Sequence, residues 1–111
     1  MMDRRVIWSK LAQDDRKRIF SYWNNRNKSN LYSRKLNRLF KEAIRLIIAY
    51  PNIGRSTDIE NIRVKIVSDY LIIYEIKEFE IVILTIWDSH RNPDILHQIM
   101  GKNESSTTKN D

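Results

Sequence analysis

The chain contains no cysteine, and it has only two glycines and two prolines in 111 residues. Without cysteine, neither a disulfide framework nor a thiolate metal site can form. Gly54 is the only glycine before the polar C-terminal segment, so the sequence has no glycine-rich loop to hold phosphates. No apolar run reaches the roughly 18–20 residues that cross a bilayer. We therefore predict a single cytoplasmic domain with no membrane segment, metal or cofactor.

The positive charge is concentrated in the first half of the chain. Residues 1–50 contain 13 Lys and Arg against four Asp and Glu, whereas residues 51–111 contain seven against ten. The whole chain has a net charge of +6 and a pI near 9.7. This balance favours association with nucleic acid, the ribosome or an acidic partner. A solvated basic surface is the alternative.

Hydrophobic periodicity predicts two helices in this basic half, after a short strand over residues 5–9. Ser9 has the residue type and position of an N-cap for the first helix. A polar turn over residues 24–28 separates that helix from a second one, over residues 30–50, which Pro51 and Gly54 terminate. Two helices joined by so short a turn should lie antiparallel.

The second half is rich in β-branched residues and predicts strands. Three segments bounded by turn residues fit this reading: 62–67, 70–76 and 81–87. Pro93 should open a short final helix that continues to Met100. We expect residues 1–100 to form one domain and residues 101–111 to be a disordered polar tail. The predicted fold class is α+β, with the helical hairpin packed on an antiparallel sheet.

Four short patterns occur in order along residues 6–100. They are Ile7-Trp8-Ser9-x-x-Ala12, Tyr50-Pro51-x-Ile53-Gly54-Arg55, Ile62-Arg63-Val64-x-Ile66-x-x-x-Tyr70-x-Ile72-x-Tyr74, and Ile86-Trp87-Asp88-x-x-Arg91-Asn92-Pro93. In these patterns the chain resembles the RelE/ParE superfamily of type II toxins. The resemblance implies a growth-inhibiting, plasmid-stabilizing toxin that a cognate antitoxin holds inactive.

Two targets follow from this resemblance. The RelE branch cleaves mRNA in the ribosomal A site, whereas the ParE branch blocks DNA gyrase and is not a nuclease. The branches share a fold, so the fold does not choose between them. A non-toxic antitoxin-binding module, which is a decayed toxin, is the alternative function.

RNA cleavage without a metal needs a general base, a general acid and cations for the phosphorane. RelE-like enzymes supply these from Lys and Arg on the sheet and from a Tyr, His or Glu near the C-terminus. The resemblance implies Arg63 and Lys65, which alternate on one strand and so share a face. It also implies His90 and Arg91 after the last strand. The chain is therefore a candidate metal-independent endoribonuclease.

One position departs from the RelE pattern. Leu71 stands where RelE-like sequences have an arginine, and it favours the ParE branch, as does the Pro-x-Ile-Gly-Arg element. His97, in the predicted final helix, is a further candidate for the terminal acid or base.

The remaining candidates are contacts to a target or to nucleic acid. Arg34, Arg38 and Lys41 belong to a basic stripe on the second helix, and Arg55 follows Gly54. No aromatic residue interleaves the stripe to stack on bases. A solvated helix face and a surface for an acidic antitoxin segment are the other interpretations.

Overall fold

The computed structural model describes residues 4–91, and these residues form two α-helices and five β-strands. The elements in chain order are β1 (Arg5–Trp8), α1 (Lys10–Asn27), α2 (Leu31–Ala49), a 3₁₀ turn (Pro51–Ile53), β2 (Arg55–Ser56), β3 (Ile62–Val67), β4 (Tyr70–Ile76) and β5 (Glu80–Asp88). The predicted α+β fold with an N-terminal strand is confirmed. The final helix predicted after Pro93, with His97, and the predicted disordered tail lie outside the described residues.

The sheet has the strand order β1-β5-β4-β3-β2. Strands β2 to β5 pair antiparallel, but β1 pairs parallel with β5. The sheet is therefore mixed, whereas the sequence predicted an antiparallel one. The difference comes from β2, a two-residue strand that the sequence did not reveal. It adds one reversal of the chain between α2 and β3, so that β5 runs in the same direction as β1.

The helices begin and end close to the predicted positions. The Ser9 hydroxyl accepts a hydrogen bond of 2.9 Å from the Ala12 amide, which confirms the predicted N-cap. The predicted turn over residues 24–28 is shorter than expected, because α1 continues to Asn27. Lys28 ends the helix in the left-handed conformation, with φ of 52° and its N–H bonded to the Asn24 carbonyl.

The hydrophobic core lies between the helices and one face of the sheet. The alternation of side chains along β4 places Tyr70, Ile72 and Tyr74 on this face, and all three are buried. The buried residues of the other elements of this core are Ala12, Ile19, Leu36, Phe40, Ala43, Ile47, Val67, Ile81, Ile83 and Ile86. β4 lies in the middle of the sheet, which agrees with its nearly continuous apolar sequence from Tyr70 to Tyr74.

Asp15 of α1 forms hydrogen bonds to β5. They lie at the part of β5 that extends past its pairing with β1. Asp15 is 3% exposed, and its carboxylate accepts hydrogen bonds from the Thr85 hydroxyl at 2.5 Å and from the Ile86 amide at 3.0 Å. Arg18 donates to its other oxygen at 2.6 Å. No local pattern in the sequence indicates this role, because Asp15 and Thr85 are 70 positions apart.

Candidate functional site

Arg63 binds the turn that follows α2. Its Nη1 donates to the carbonyl oxygens of Gly54 at 2.6 Å and of Asn52 at 3.1 Å. Alternation and strand register place Arg63 opposite Tyr74, on the face of the sheet that the helices cover. One nitrogen of the guanidinium thus already donates its hydrogen bonds to backbone carbonyls within the protein.

Tyr74 completes this connection between the sheet and the turn. It is fully buried, and its hydroxyl donates to the Pro51 carbonyl at 2.6 Å and accepts from the Gly54 amide at 3.0 Å. Burial raises the pKa of Tyr74 above its ordinary value of 10.0, although the Gly54 hydrogen bond and the charge of Arg63 oppose the shift. The phenol is therefore held as a neutral hydrogen-bonding group.

Gly54 is required by close packing. A Cβ atom there would lie 2.6 Å from the Tyr74 hydroxyl oxygen and 2.9 Å from the Val64 carbonyl oxygen. The φ angle of Gly54 is −74°, which any residue can adopt, so the constraint is steric. This packing gives a physical reason for the glycine of the Pro51-x-Ile53-Gly54 pattern. Arg55 follows directly, exposed, in the edge strand β2.

Lys65 lies on the same face of β3 as Arg63, as alternation predicted. It is half-buried and stands opposite Ile72 of β4. Within residues 4–91 it takes part in no ion pair. Its ammonium therefore stays available to an external anion or to solvent.

His90 and Arg91 line a cavity of about 470 Å³ where α1 crosses the end of β5. The His90 Nδ1 lies 3.2 Å from the Asp88 carboxylate, which also accepts the His90 backbone N–H at 2.9 Å. The guanidinium carbon of Arg91 lies 5.2 Å from the centre of the Trp87 ring, within cation–π range. Arg18 and Asp69 line it as well, so the cavity lining contains one histidine, two arginines and two aspartates.

Two aromatic side chains that sequence reasoning did not connect form the cavity wall. The Trp23 indole donates to the Tyr70 hydroxyl at 2.8 Å, and both residues line the cavity. Burial raises the pKa of Tyr70 above 10.0, although the Trp23 hydrogen bond opposes the shift. The residues are 47 positions apart, so no local signal in the sequence joins them.

The four predicted catalytic residues fall into two separate groups. Arg63 pairs with Tyr74, whereas Tyr70, at the other end of β4, pairs with Asp88. Four residues of a strand span about 13 Å, at about 3.3 Å per residue. Arg63 is therefore remote from His90 and Arg91, and neither Arg63 nor Lys65 is among the residues that line the cavity.

The predicted contact residues of α2 are solvent-facing. Arg34, Arg38 and Lys41 are all exposed, opposite the buried Leu36 and Phe40. The two faces of α2 are thus arranged as the periodicity predicted. Arg55 lies on a different element, at the edge of the sheet.

The described residues offer no metal centre. Between residues 4 and 91, no three His, Cys, Asp or Glu side chains are grouped so that they would hold a metal ion. No helix in the same range has the length and the apolar character needed to cross a membrane.

Comparison with known families identifies the chain. The profile described as "ParE toxin of type II toxin-antitoxin system, parDE" matches residues 6–93. The chain belongs to this ParE toxin family. The predicted RelE/ParE resemblance is thereby confirmed, and the match includes both Arg63 and the cavity residues His90 and Arg91.

A solved structure supports the fold of this ParE-family chain. The structure is described as a chromosomal ParDE TA system from P. aeruginosa, and it superposes with a TM-score of 0.65 at 18% sequence identity. The similarity covers 77% of this chain and 95% of the other. At this identity the likeness shows the fold alone. Comparison with curated proteins gave no significant match.

Proposed function

We propose that this chain is an active toxin that stops bacterial growth by binding DNA gyrase, and that a cognate antitoxin holds it inactive in the cytoplasm. Membership of the ParE toxin family carries the proposal. Gyrase is the target that the resemblance implies for the ParE branch. Leu71, in place of the arginine of RelE-like sequences, supports the same branch.

The surroundings of Arg63 also favour inhibition by binding. A cation that stabilises a phosphorane must direct its donors at the reacting phosphate. The Nη1 of Arg63 instead donates to two carbonyl oxygens of the turn after α2. A binding toxin requires this residue only to hold its surface in shape.

Ribosome-dependent cleavage of mRNA is the second candidate function. It is supported by the cavity that His90 and Arg91 line, because an imidazole can act as a general acid or base and an arginine binds phosphate well. In this mechanism His90 would transfer protons and Arg91 would stabilise the phosphorane. Arg63 and Lys65 would bind the RNA backbone outside the cavity.

Induced expression in bacteria without the antitoxin distinguishes these functions. Growth, mRNA 5′ ends and plasmid supercoiling are measured in the same cultures for the wild type, His90→Ala and Arg91→Ala. Lys77→Ala is the matched control, because Lys77 is exposed in the turn between β4 and β5. Far-UV circular dichroism of each purified variant verifies folding.

The proposed function predicts growth arrest with intact transcripts and altered supercoiling. New mRNA ends that disappear in His90→Ala and Arg91→Ala, but persist in Lys77→Ala, would establish cleavage instead. Continued growth in the presence of soluble, folded wild type would favour the non-toxic module, which should still bind an antitoxin tightly.

A further inference from the structure

Four cations form a narrow line along the exposed side of α2. We call Arg34, Arg38, Lys41 and Arg45 the α2 stripe; all four are exposed. Because an α-helix turns by about 100° per residue, the four side chains leave the helix within an arc of about 60° around its axis. At about 1.5 Å per residue, they span about 16 Å along the helix.

The stripe has no internal counter-charge. Within the described range 4–91, none of its four side chains takes part in an ion pair. Glu42 is the single acidic residue of α2, against five basic ones. The stripe therefore presents four cations, with one neighbouring carboxylate that pairs with none of them, on a helix of 19 residues.

We propose that the α2 stripe binds the phosphate backbone of a nucleic acid duplex without reading its base sequence. A duplex of B-DNA carries one charge for about every 1.7 Å of its axis, so that a 16 Å row of cations faces several phosphates at once. Binding neutralises these phosphates and releases condensed counterions, which favours association. The proposal goes beyond the proposed function and does not depend on it.

The composition of the stripe favours a duplex over a protein partner. Protein interfaces derive most of their affinity from a few fully buried anchors, chiefly Trp, Tyr and Arg in well-packed apolar surroundings, and solvent-exposed ion pairs add little. Large exposed apolar residues of α2 lie to the side of the stripe or before it, at Leu46 and Leu31. Counterion release needs no such anchor.

The same composition disfavours a single strand as the ligand. Proteins that bind single strands stack bases on aromatic side chains along a charged groove. The stripe is convex, because it is the outer side of a helix, and no aromatic residue lies between Arg34 and Arg45 except the buried Phe40.

Fluorescence anisotropy with purified full-length protein and a labelled 20-base-pair DNA duplex tests the proposal. Duplex RNA of the same length shows whether B-form geometry matters, and polyglutamate represents an acidic protein. The test variant is Arg38→Gln/Lys41→Gln, since Gln retains high helix propensity. The control, Arg5→Gln/Lys77→Gln, removes the same charge away from α2, in the edge strand β1 and in the turn between β4 and β5.

The salt dependence of the affinity is the decisive result. Four phosphate contacts predict a slope of log K against log salt of about −3.6, or about a 150-fold loss of affinity from 50 to 200 mM salt. The test variant should show a slope of about −1.8, or about a 12-fold loss, whereas the control should match the wild type.

Three outcomes overturn the proposal. They are absence of DNA or RNA duplex binding at 50 mM salt, equal slopes for the test variant and the wild type, and competition by polyglutamate at the same charge concentration as the duplex. The last result would assign the α2 stripe to an acidic protein. Since the assay contains no gyrase, ribosome or growing cells, these results leave the proposed toxin function to its own test.

Discussion

The amide of Gly54 donates a hydrogen bond of 3.0 Å to the buried hydroxyl of Tyr74. These residues are 20 positions apart, one in the turn after α2 and the other in the central strand. The hydroxyl also donates to the Pro51 carbonyl, and Arg63 donates to the Gly54 carbonyl. The sheet therefore holds the end of the helical hairpin by hydrogen bonds to one short turn.

The variant Gly54→Ala should destabilise the fold, because the new methyl group would overlap the Tyr74 ring and the Val64 carbonyl. Overpacking of this kind costs about 1–3 kcal/mol. Urea unfolding should therefore show a lower midpoint. Asn52→Ala, two residues earlier and exposed, is the control and should stay within about 0.5 kcal/mol of the wild type. Equal stability of the two variants would contradict the steric explanation.

The variant Tyr74→Phe keeps the ring but removes both hydrogen bonds. The buried Gly54 amide and the half-buried Pro51 carbonyl then lose their partner, at a cost of about 1–3 kcal/mol. Tyr50→Phe is the matched control, because Tyr50 is 65% exposed. Thermal unfolding followed by circular dichroism measures both. A stability of Tyr74→Phe as high as that of Tyr50→Phe would show that the hydroxyl contributes nothing.

Local periodicity was sufficient to predict the two helices, the three long strands and the exposed side of α2. Each depends on residues close together in the sequence, such as Leu36 and Phe40, whose spacing of four defines a helix face. The strand β2 has only two residues and no hydrophobic pattern, so it was missed and the sheet was predicted as antiparallel. Because β2 was missed, the parallel pairing of β1 with β5 was missed as well.

The candidate site depends on contacts that no local pattern encodes. Alternation placed Arg63 and Lys65 on one face, and the structure agrees. It gave no information on which face the helices cover, nor on the hydrogen bonds from Arg63 to the turn. The cavity beside His90 and the Trp23–Tyr70 hydrogen bond arise only when α1 packs across the end of β5.

The variant Asp15→Ala should lower stability strongly. It leaves the buried Thr85 hydroxyl and Ile86 amide without an acceptor, and hydrogen bonds to charged groups contribute about 1.5–3 kcal/mol. Asp14→Ala is an unusually close control, because Asp14 is the neighbouring residue and makes only an exposed ion pair with Lys10. Its loss should stay within about 1 kcal/mol. Similar urea midpoints for the two variants would exclude Asp15 as an anchor of α1.

Alkaline pH should lower the free energy of unfolding, because Tyr70 and Tyr74 lose their phenolic protons. Burial raises both pKa values above 10.0, the value expected in the unfolded chain. The folded state then retains protons that the unfolded state loses, so their contribution to stability is complete below pH 10 and is lost as the pH rises through the folded pKa values. The unfolding free energy from urea titrations should decline above pH 10. The decline should be shallower in Tyr70→Phe and in Tyr74→Phe, and an unchanged pH dependence in both would refute the assignment.

The variant Arg63→Ala should lose more stability than Lys65→Ala. Both residues lie on the same face of β3, and each substitution removes one positive charge from it. Arg63 alone donates to the turn carbonyls, and charge-assisted hydrogen bonds contribute about 1.5–3 kcal/mol. Lys65→Ala loses mainly the packing of its aliphatic stem. The difference between their urea midpoints therefore isolates the hydrogen bonds of Arg63. Equal urea midpoints for the two variants would contradict this role. They are the result expected if Arg63 served only to bind a phosphate, because its substitution would then leave the stability of the fold unchanged.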